Sequence, residues 1–463
     1  MTSHAQLAIL KIMGNLNQYI GYAARVFETL PDPRIDTKVP TAISDIWLAA
    51  LSLYFMQSAS WLESQETLLR AAGASNAQSL FNIKTIPTKK EIMEVLDKTK
   101  PELLKPIFTS IITDLYKQGA IDAFTILDNK IMISVAGKIF YKSKTESCEN
   151  CNLLYHLKLN EKEYYHTALG MTLCSPNLKE TIALPPTFPQ NVDPKVKIPY
   201  HVHDKQIYEF NYFKHILESK ELDYIKQVPI FLCDAFYTST KVINLIKSYR
   251  NSNYIIHCYN DSYRTWLALI HTFDKSQAVT LTKLDFANKL KYEYSFKNDI
   301  ELIDDDNPAK INYICLTISP LLNKPPEKIA QPPNYHPLRR KPKPSIKVQK
   351  YSFITDLEVN ETTIEFLISL GRLRYSVDTG FSSLNNRGYN LDLGLGHGQE
   401  NLANVLSTIK ALSSLIHEAE NLTDETFKKL RRQFPTMKKT IEHICHKTSH
   451  TTFNSFAQLV KHK

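Results

Sequence analysis

Glycine is scarce in this chain, 12 in 463 positions. No GxGxxG or GxxxxGK[ST] run occurs, which excludes the glycine-rich loops that let a backbone close on the phosphates of a nucleotide. Cysteine is sparse too. Seven thiols, an odd number and widely scattered, make no disulfide framework and fit a reducing compartment. Long apolar runs are missing: the most apolar stretch, Ile46–Met56, is about half of the roughly 20 residues a membrane-spanning helix needs. No basic-then-apolar pattern opens the chain, so no cleaved leader is expected.

What is present is ordinary globular composition, 43% hydrophobic and 22% charged residues, in a length that allows two to four domains. The net charge of +9, with a pI near 8.9, is a moderate positive excess compatible with a nucleic-acid partner.

Periodicity divides the chain. Residues 1–120 read as an α-helical N-terminal domain. Trp47, Leu48, Leu51, Phe55 and Trp61 recur at helical spacing, Thr88 to Glu91 has the form of a capped helix start, and Leu103, Leu104, Ile107, Ile111 and Leu115 share one face. From about Ile121 the period shortens. Phe124–Leu127, Ile131–Val135, Lys138–Tyr141 and Tyr165–Leu173 read as strands. Pro229–Cys233 and Tyr254–Cys258 read as buried strands separated by the helical Thr240–Tyr249. The expectation is a mixed α/β domain over 121–395. It contains a basic, proline-rich segment, 324–350, with seven Pro, eight Lys/Arg and a single Glu. Such a stretch packs no core and runs extended over the surface. Helices are expected over Glu361–Asn385, His397–Ala419 and Asp424–His446, the last two in a helical, basic C-terminal region, 396–463. His443, Cys445, His446 and His450 match no zinc spacing there and read as a polar helix face.

Two constellations carry chemistry. Cys148 and Cys151 form a CxxC within a hairpin over 145–170, followed by His156 and His166. Two thiolates and two imidazoles complete a tetrahedral Zn²⁺ set; the alternative is a reduced CxxC beside an unrelated core histidine. The second is Asp234, at the end of the buried strand Ile230–Cys233. Open α/β sheets place catalytic groups there, although a lone Asp at such a place also serves as a helix N-cap.

In order along the chain, Pro31-Asp32-Pro33-Arg34, Ser44-Asp45-Ile46, Pro101–Pro106, the CxxC, Tyr164-Tyr165-His166, the Asp234 strand, Ser352–Leu357, Gly371-Arg372-Leu373-Arg374-Tyr375, Gly388–Leu391 and Gly396-His397-Gly398 resemble the DDE transposases of bacterial insertion sequences, in the subgroup with a CxxC insertion. The resemblance covers roughly residues 25–420. It implies an RNase H-like mixed sheet flanked by helices, on which three carboxylates hold two Mg²⁺ about 3.5–4 Å apart for DNA strand cleavage and transfer. It further implies double-stranded DNA as partner, a homodimer across two DNA ends, no membrane, and a cytoplasmic, nucleoid-associated place in a bacterium. The basic residues it points to for DNA contact are Arg339, Arg340, Lys341, Lys343, Arg372, Arg374, Lys428, Lys429, Arg431 and Arg432.

Carried over by position, the catalytic set is damaged. Leu127-Asp128-Asn129 matches a first motif, and the second, Val135-Ala136-Gly137, puts Ala136 where the first acid belongs. Asp234 matches the second acid. Asp378 falls at the third, one methylene shorter than the usual Glu, and the segment that follows is one residue short, which turns the helix by about 100°. Asp128 does not substitute: eight residues of extended chain separate it from Ala136, about 26 Å. Asp122 and Glu146 are no better placed. The implied metal ligands are therefore Asp234 and Asp378 alone, in an enzyme with little or no activity. The competing readings are a decayed or domesticated transposase that only binds DNA in a regulatory role, and a scaffold with a zinc-stapled hairpin and no DNA at all.

Overall fold

The computed structural model describes residues 15–34, 41–156, 160–190, 202–258, 277–302, 308–321, 348–376, 384–389 and 396–462. It is an α/β protein with mixed and antiparallel sheet flanked by helices, in two compact units: Met1–Pro229 with Tyr375–Lys463, and Ile230–Arg374. These boundaries differ from the breaks at 120 and 395 expected from periodicity. Chain segments from both ends build the first unit.

That unit begins with helices α1 (Asn15–Phe27), α2 (Ile43–Phe55), α3 (Trp61–Leu69), α4 (Ala71–Phe81), α5 (Lys89–Asp97) and α6 (Lys105–Lys117). Helix α5 starts on a complete capping box, Thr88 and Glu91 each accepting the other's backbone N–H, which satisfies two donors a helix start otherwise leaves open. Strand β1 (Thr125–Ile126) turns tightly into β2 (Lys130–Ser143), with Leu127, Asp128 and Asn129 at positive φ. The two runs expected at 131–135 and 138–141 are one strand. Strands β3 (Asn152–His156), β4 (Glu161–Cys174) and β5 (Ile182–Ala183) follow; β4 pairs antiparallel with β2, β3 and β5. Helix α7 (Val202–Glu218) comes next, and the buried Glu209 carboxylate lies where a Cβ on Gly137 would stand, at 2.0 Å.

The second unit is a sheet in the order β6-β7-β11-β10-β9-β8. It comprises β6 (Val228–Cys233, starting two residues before the boundary), helix α8 (Thr240–Ser248), β7 (Asn253–His257), β8 (Val279–Asp285), β9 (Leu290–Leu302), β10 (Ala309–Pro320) and β11 (Gln349–Thr355). Strands β6 and β7 run parallel across α8, and the remaining pairings are antiparallel. Helix α9 (Ile364–Ser376) sets Gly371 against the buried Phe353 ring, at a distance that leaves no room for a Cβ.

The chain then returns to the first unit with α10 (Leu402–Thr423), α11 (Glu425–Arg432), α12 (Met437–His450) and α13 (Phe456–Lys461). The single helix expected over 424–446 is broken at Gln433–Thr436, where Pro435 cannot continue the hydrogen-bond ladder and Thr436 caps the next helix. Helix α10 is buried from Leu402 to Asn421 and packs on α1, α2, α5, α6 and β5. No helix among the described residues is long and apolar enough to cross a membrane.

Burial of α10 sets two opposed titrations side by side. Burial pushes Glu418 up to about 7 while Arg387, 2.7 Å away, pulls the other way; burial pushes His417 down to about 3. The Glu418 contribution to stability is present below its ordinary 4.5 and is lost as pH climbs through 7; that of His417 is present above its ordinary 6.5 and is lost as pH falls toward 3. Replacing Glu418→Gln removes only the first. Urea midpoints across this range are expected to show the variant gaining on the parent between pH 4.5 and 7, by up to about 3 kcal/mol. A constant difference would mean that Glu418 stays ionised throughout.

Candidate metal centre

The register of the hairpin brings one cluster together. Asn152 pairs with Tyr165, so Cys151, one residue before, comes beside His166, one residue after. A β-bulge in β2 between Ile139 and Tyr141 puts Tyr141 opposite His166, with the Phe140 and Tyr141 rings both 5.8 Å from the imidazole. Cys148 closes the turn before β3, its backbone N–H donating to the Cys151 Sγ at 3.4 Å.

The fourth side chain comes from far along the sequence. His397 sits between Gly396 (φ +155°) and Gly398 (φ +74°), conformations that only glycine takes readily. A Cβ on Gly398 would meet the Asp97 carboxylate at 2.3 Å. That carboxylate accepts the backbone N–H groups of Gln399, Glu400 and Leu402 at 2.9–3.0 Å, fixing the loop at the entrance to α10. Asn150 donates to the Glu400 carbonyl (2.8 Å) and to Asn401 Oδ1 (2.9 Å), and the Tyr141 ring stacks on His397 at 4.3 Å.

The ligand atoms of Cys148, Cys151, His166 and His397 all lie within 4.8 Å of one another. The two Sγ atoms are 3.7 Å apart, His166 Nε2 is 3.3 Å from each, and His397 Nε2 is 3.2 Å from both Cys151 Sγ and His166 Nε2. A tetrahedral Zn²⁺ with ordinary bond lengths sets edges of about 3.8 Å (S–S), about 3.6 Å (S–N) and about 3.4 Å (N–N). The cluster matches these edges to within a few tenths of an ångström, whereas a disulfide requires sulfurs about 2.05 Å apart. All four cysteine and histidine side chains are thus donors that could hold a metal such as zinc. His166 Nδ1 lies 2.9 Å from Asn404 Oδ1 in α10, an arrangement in which Nδ1–H donates and the Nε2 lone pair faces the cluster. The thiols share their protons unequally: Cys148 as donor holds Cys151 below its ordinary range, and the same contact with burial pushes Cys148 up.

His156, expected as the fourth ligand, does not belong to this set. It pairs with Glu161, at the far end of β3, five strand residues or about 16 Å from His166 along β4. Sequence proximity pointed to it, but an extended strand carries neighbours away at 3.3 Å per residue. The glycines flanking His397 were the available sign of a constrained backbone.

The second unit holds Asp234, at the C-terminal end of β6. Its Oδ1 accepts the Ala235 N–H at 2.7 Å and its Oδ2 accepts from the Arg374 guanidinium at 3.2 Å. Beside this pair, at the end of β7, burial holds the His257 imidazole down at about 4, with Asp234 drawing it up and Arg374 drawing it down. Arg374 Nε is buried without a hydrogen-bond partner among the described residues, and the neighbouring Arg372 stacks on Tyr351 at 4.8 Å.

In the first unit Ala136 is 4% exposed and pairs with Gly170. The next pair on its face is Ser134 with Thr172, and neither carries a carboxylate. Asp128 stands exposed in the β1–β2 turn, eight residues back along one continuous strand. Asp378 and the basic quartet Arg339, Arg340, Lys341 and Lys343 lie outside the described residues. Of the remaining basic residues, Lys429 and Arg432 are exposed, Lys428 pairs with Glu425 at 2.8 Å, and Arg431 donates to the Phe434 carbonyl. No protein-family model matches the chain, and no curated protein matches it.

Competition with a chromophoric chelator is expected to show tight Zn²⁺ binding that His397→Ala abolishes and His156→Ala leaves unchanged. Asn404→Ala should weaken it by about 10–100-fold, as loss of a ligand-orienting hydrogen bond does. Equal losses at His156 and His397 would refute the ligand set.

Proposed function

We propose that this chain is a silenced relative of the insertion-sequence DDE transposases that grips duplex DNA without cutting or joining it, its hairpin stapled by a structural Zn²⁺ on Cys148, Cys151, His166 and His397. The observation that carries the reading is the methyl group of Ala136 on a buried strand, at the position the resemblance assigns to the first catalytic acid. A pair of Mg²⁺ ions needs anionic oxygens, and a missing carboxylate costs on the order of a thousandfold or more in rate.

Asp234 supports the same reading. It stands at a strand end, as the resemblance implies, but Arg374 already neutralises it, so a Mg²⁺ would have to displace a guanidinium. The chain order of antiparallel β2, β4 and β5, then α7, then the parallel β6–α8–β7 unit, is compatible with an RNase H-like mixed sheet. The zinc assignment rests on a closed set of four protein ligands, which leaves no open position for a substrate and marks a structural ion. The basic surfaces supply the grip, and a cytoplasmic, nucleoid-associated location follows from it.

Purified full-length protein, given duplexes that carry the sequences flanking its own gene, is expected to shift them at low salt and to lose them steeply as salt rises. It should nick and join none of them with Mg²⁺ or Mn²⁺. Strand cleavage would overturn the silence, and a failure to retain any duplex at low salt would overturn the DNA reading. In the companion variant Ala136→Asp, Mn²⁺ affinity read by electron paramagnetic resonance is expected to rise. Metal analysis should return one Zn²⁺ per chain, and none for Cys151→Ser.

A further inference from the structure

Helices α11 and α12 are joined by four residues, Gln433–Thr436, the connection length of a helix-turn-helix. Both helices are capped at the start, Asp424 accepting the Phe427 N–H at 2.7 Å and Thr436 that of Lys439 at 3.3 Å. Their inner faces are fully used: Phe427 and Leu430 from α11, and Met437, Thr440, Ile441, Ile444 and Thr448 from α12, are buried. They pack within a group that includes α4, α10 and α13.

The outer faces carry basic residues. Lys429 and Arg432 stand exposed on α11. On α12 the stripe 439, 443, 446 and 450 follows the 3.6-residue period and reads Lys, His, His, His. The acids nearby are Glu425, held by Lys428, and Glu442, held by Lys439 at 2.6 Å. Lys447 turns its ammonium to the His462 carbonyl at the end of α13. From Lys428 to Lys463 there are nine Lys/Arg and one Glu. Burial, with the nearby charges of Lys447 and His446, holds His443 below its ordinary value.

We infer that α11 and α12 form a helix-turn-helix whose second helix lies in the major groove of duplex DNA, with Lys439, His443 and His446 at base edges and Lys429 and Arg432 at phosphates. This rests on the DNA-binding reading above and adds to it the element that reads sequence. The dimensions agree: Lys439 to His450 spans three turns, about 16 Å of helix, against a major groove about 12 Å wide that admits an α-helix. Duplex RNA offers no such place, because its major groove is too narrow for a helix to enter. The cationic start of α12 adds the positive end of its dipole to the charge offered to phosphate.

The test uses the full-length chain and a pool of randomised DNA duplexes, with binding measured over a range of salt. The parent is expected to select a preferred sequence. The triple variant Lys439→Ala/His443→Ala/His446→Ala should weaken the selected site by about 10–100-fold while leaving affinity for random duplex nearly unchanged. The double variant Lys429→Ala/Arg432→Ala should weaken all duplexes alike and reduce the salt slope by about 2. If the parent selects a sequence and the triple variant keeps that preference in full, α12 is not the reader and the inference falls while DNA binding stands. Equal affinity for duplex RNA would overturn the groove placement. If the parent retains no duplex at all at low salt, the inference falls together with the reading beneath it.

Discussion

Burial of α10 is the constraint on which the first unit depends. A helix enclosed on every side is ordinarily apolar all round, yet this one carries Asn404, Lys410, His417, Glu418, Glu420 and Asn421 into the core. Each buried polar group left without a partner costs about 1–3 kcal/mol, so the surroundings have to answer them one by one, and largely do. Asn404 meets His166, Tyr389 bonds His417 Nδ1, Arg387 holds Glu418, and Asn421 donates to Glu180. The hydroxyls of Ser407, Thr408 and Thr423 return to carbonyls four residues back, and the Lys410 ammonium lies 5.3 Å from the Tyr54 ring. Burial pushes the Glu420 carboxyl well above its ordinary range. These pairings fix the rotation and depth of α10, since a slip of one residue would break them together.

The metal cluster takes its physical meaning from that helix. His397 lies five residues before α10 and Asn404 in its first turn, while the two cysteines and His166 belong to the β2–β4 hairpin. Held together, these groups join chain segments about 230 residues apart. Closing so long a loop carries a large entropy cost, and four coordinate bonds to a metal would be a concentrated means of offsetting it. The Asp97 carboxylate does related work without a metal, gathering three backbone N–H groups at the same helix entrance. With a metal bound, the cluster would act as a clamp on the core, which accords with its four protein donors.

How much of this was legible in the sequence depended on whether the relevant force was local. The capping box at Thr88 and Glu91, the buried strands around Asp234 and the CxxC could be read from neighbouring residues because caps, short apolar runs and paired thiols act over a few positions. Strands β8 and β9 were not read. Both faces of β8 are largely exposed, so no alternation marks it, and only pairing with β9 makes it a strand. The break within 424–446 was signalled by Pro435 but masked by the continuous charged pattern on either side. His397 could not be matched to the CxxC from spacing at all, since the register that brings Cys151 beside His166 and the turn that delivers His397 are tertiary facts. Helix α10 reads as part of a basic extension for a similar reason: its polar residues look solvated until their partners, scattered from Tyr54 to Tyr389, are in place.

If the chain is the silenced relative proposed above, the ion pair between Asp234 and Arg374 bears on how its architecture would persist without the chemistry. An Asp kept for metal chemistry must stay anionic and available, and without the metal it leaves an uncompensated, largely buried charge. A guanidinium in direct contact removes that penalty permanently and needs no cation from solution. On the reading proposed above, an alanine at position 136 has little structural consequence of its own, because a small apolar residue suits a strand position that is 4% exposed. On that reading, Arg374 on Asp234 would remove any structural need for Mg²⁺ there, and the methyl group of Ala136 would offer such an ion no anionic oxygen. Surfaces that bind phosphate are under neither constraint, since their charge is solvated and independent of the strand ends. Binding can therefore outlast chemistry in the same fold.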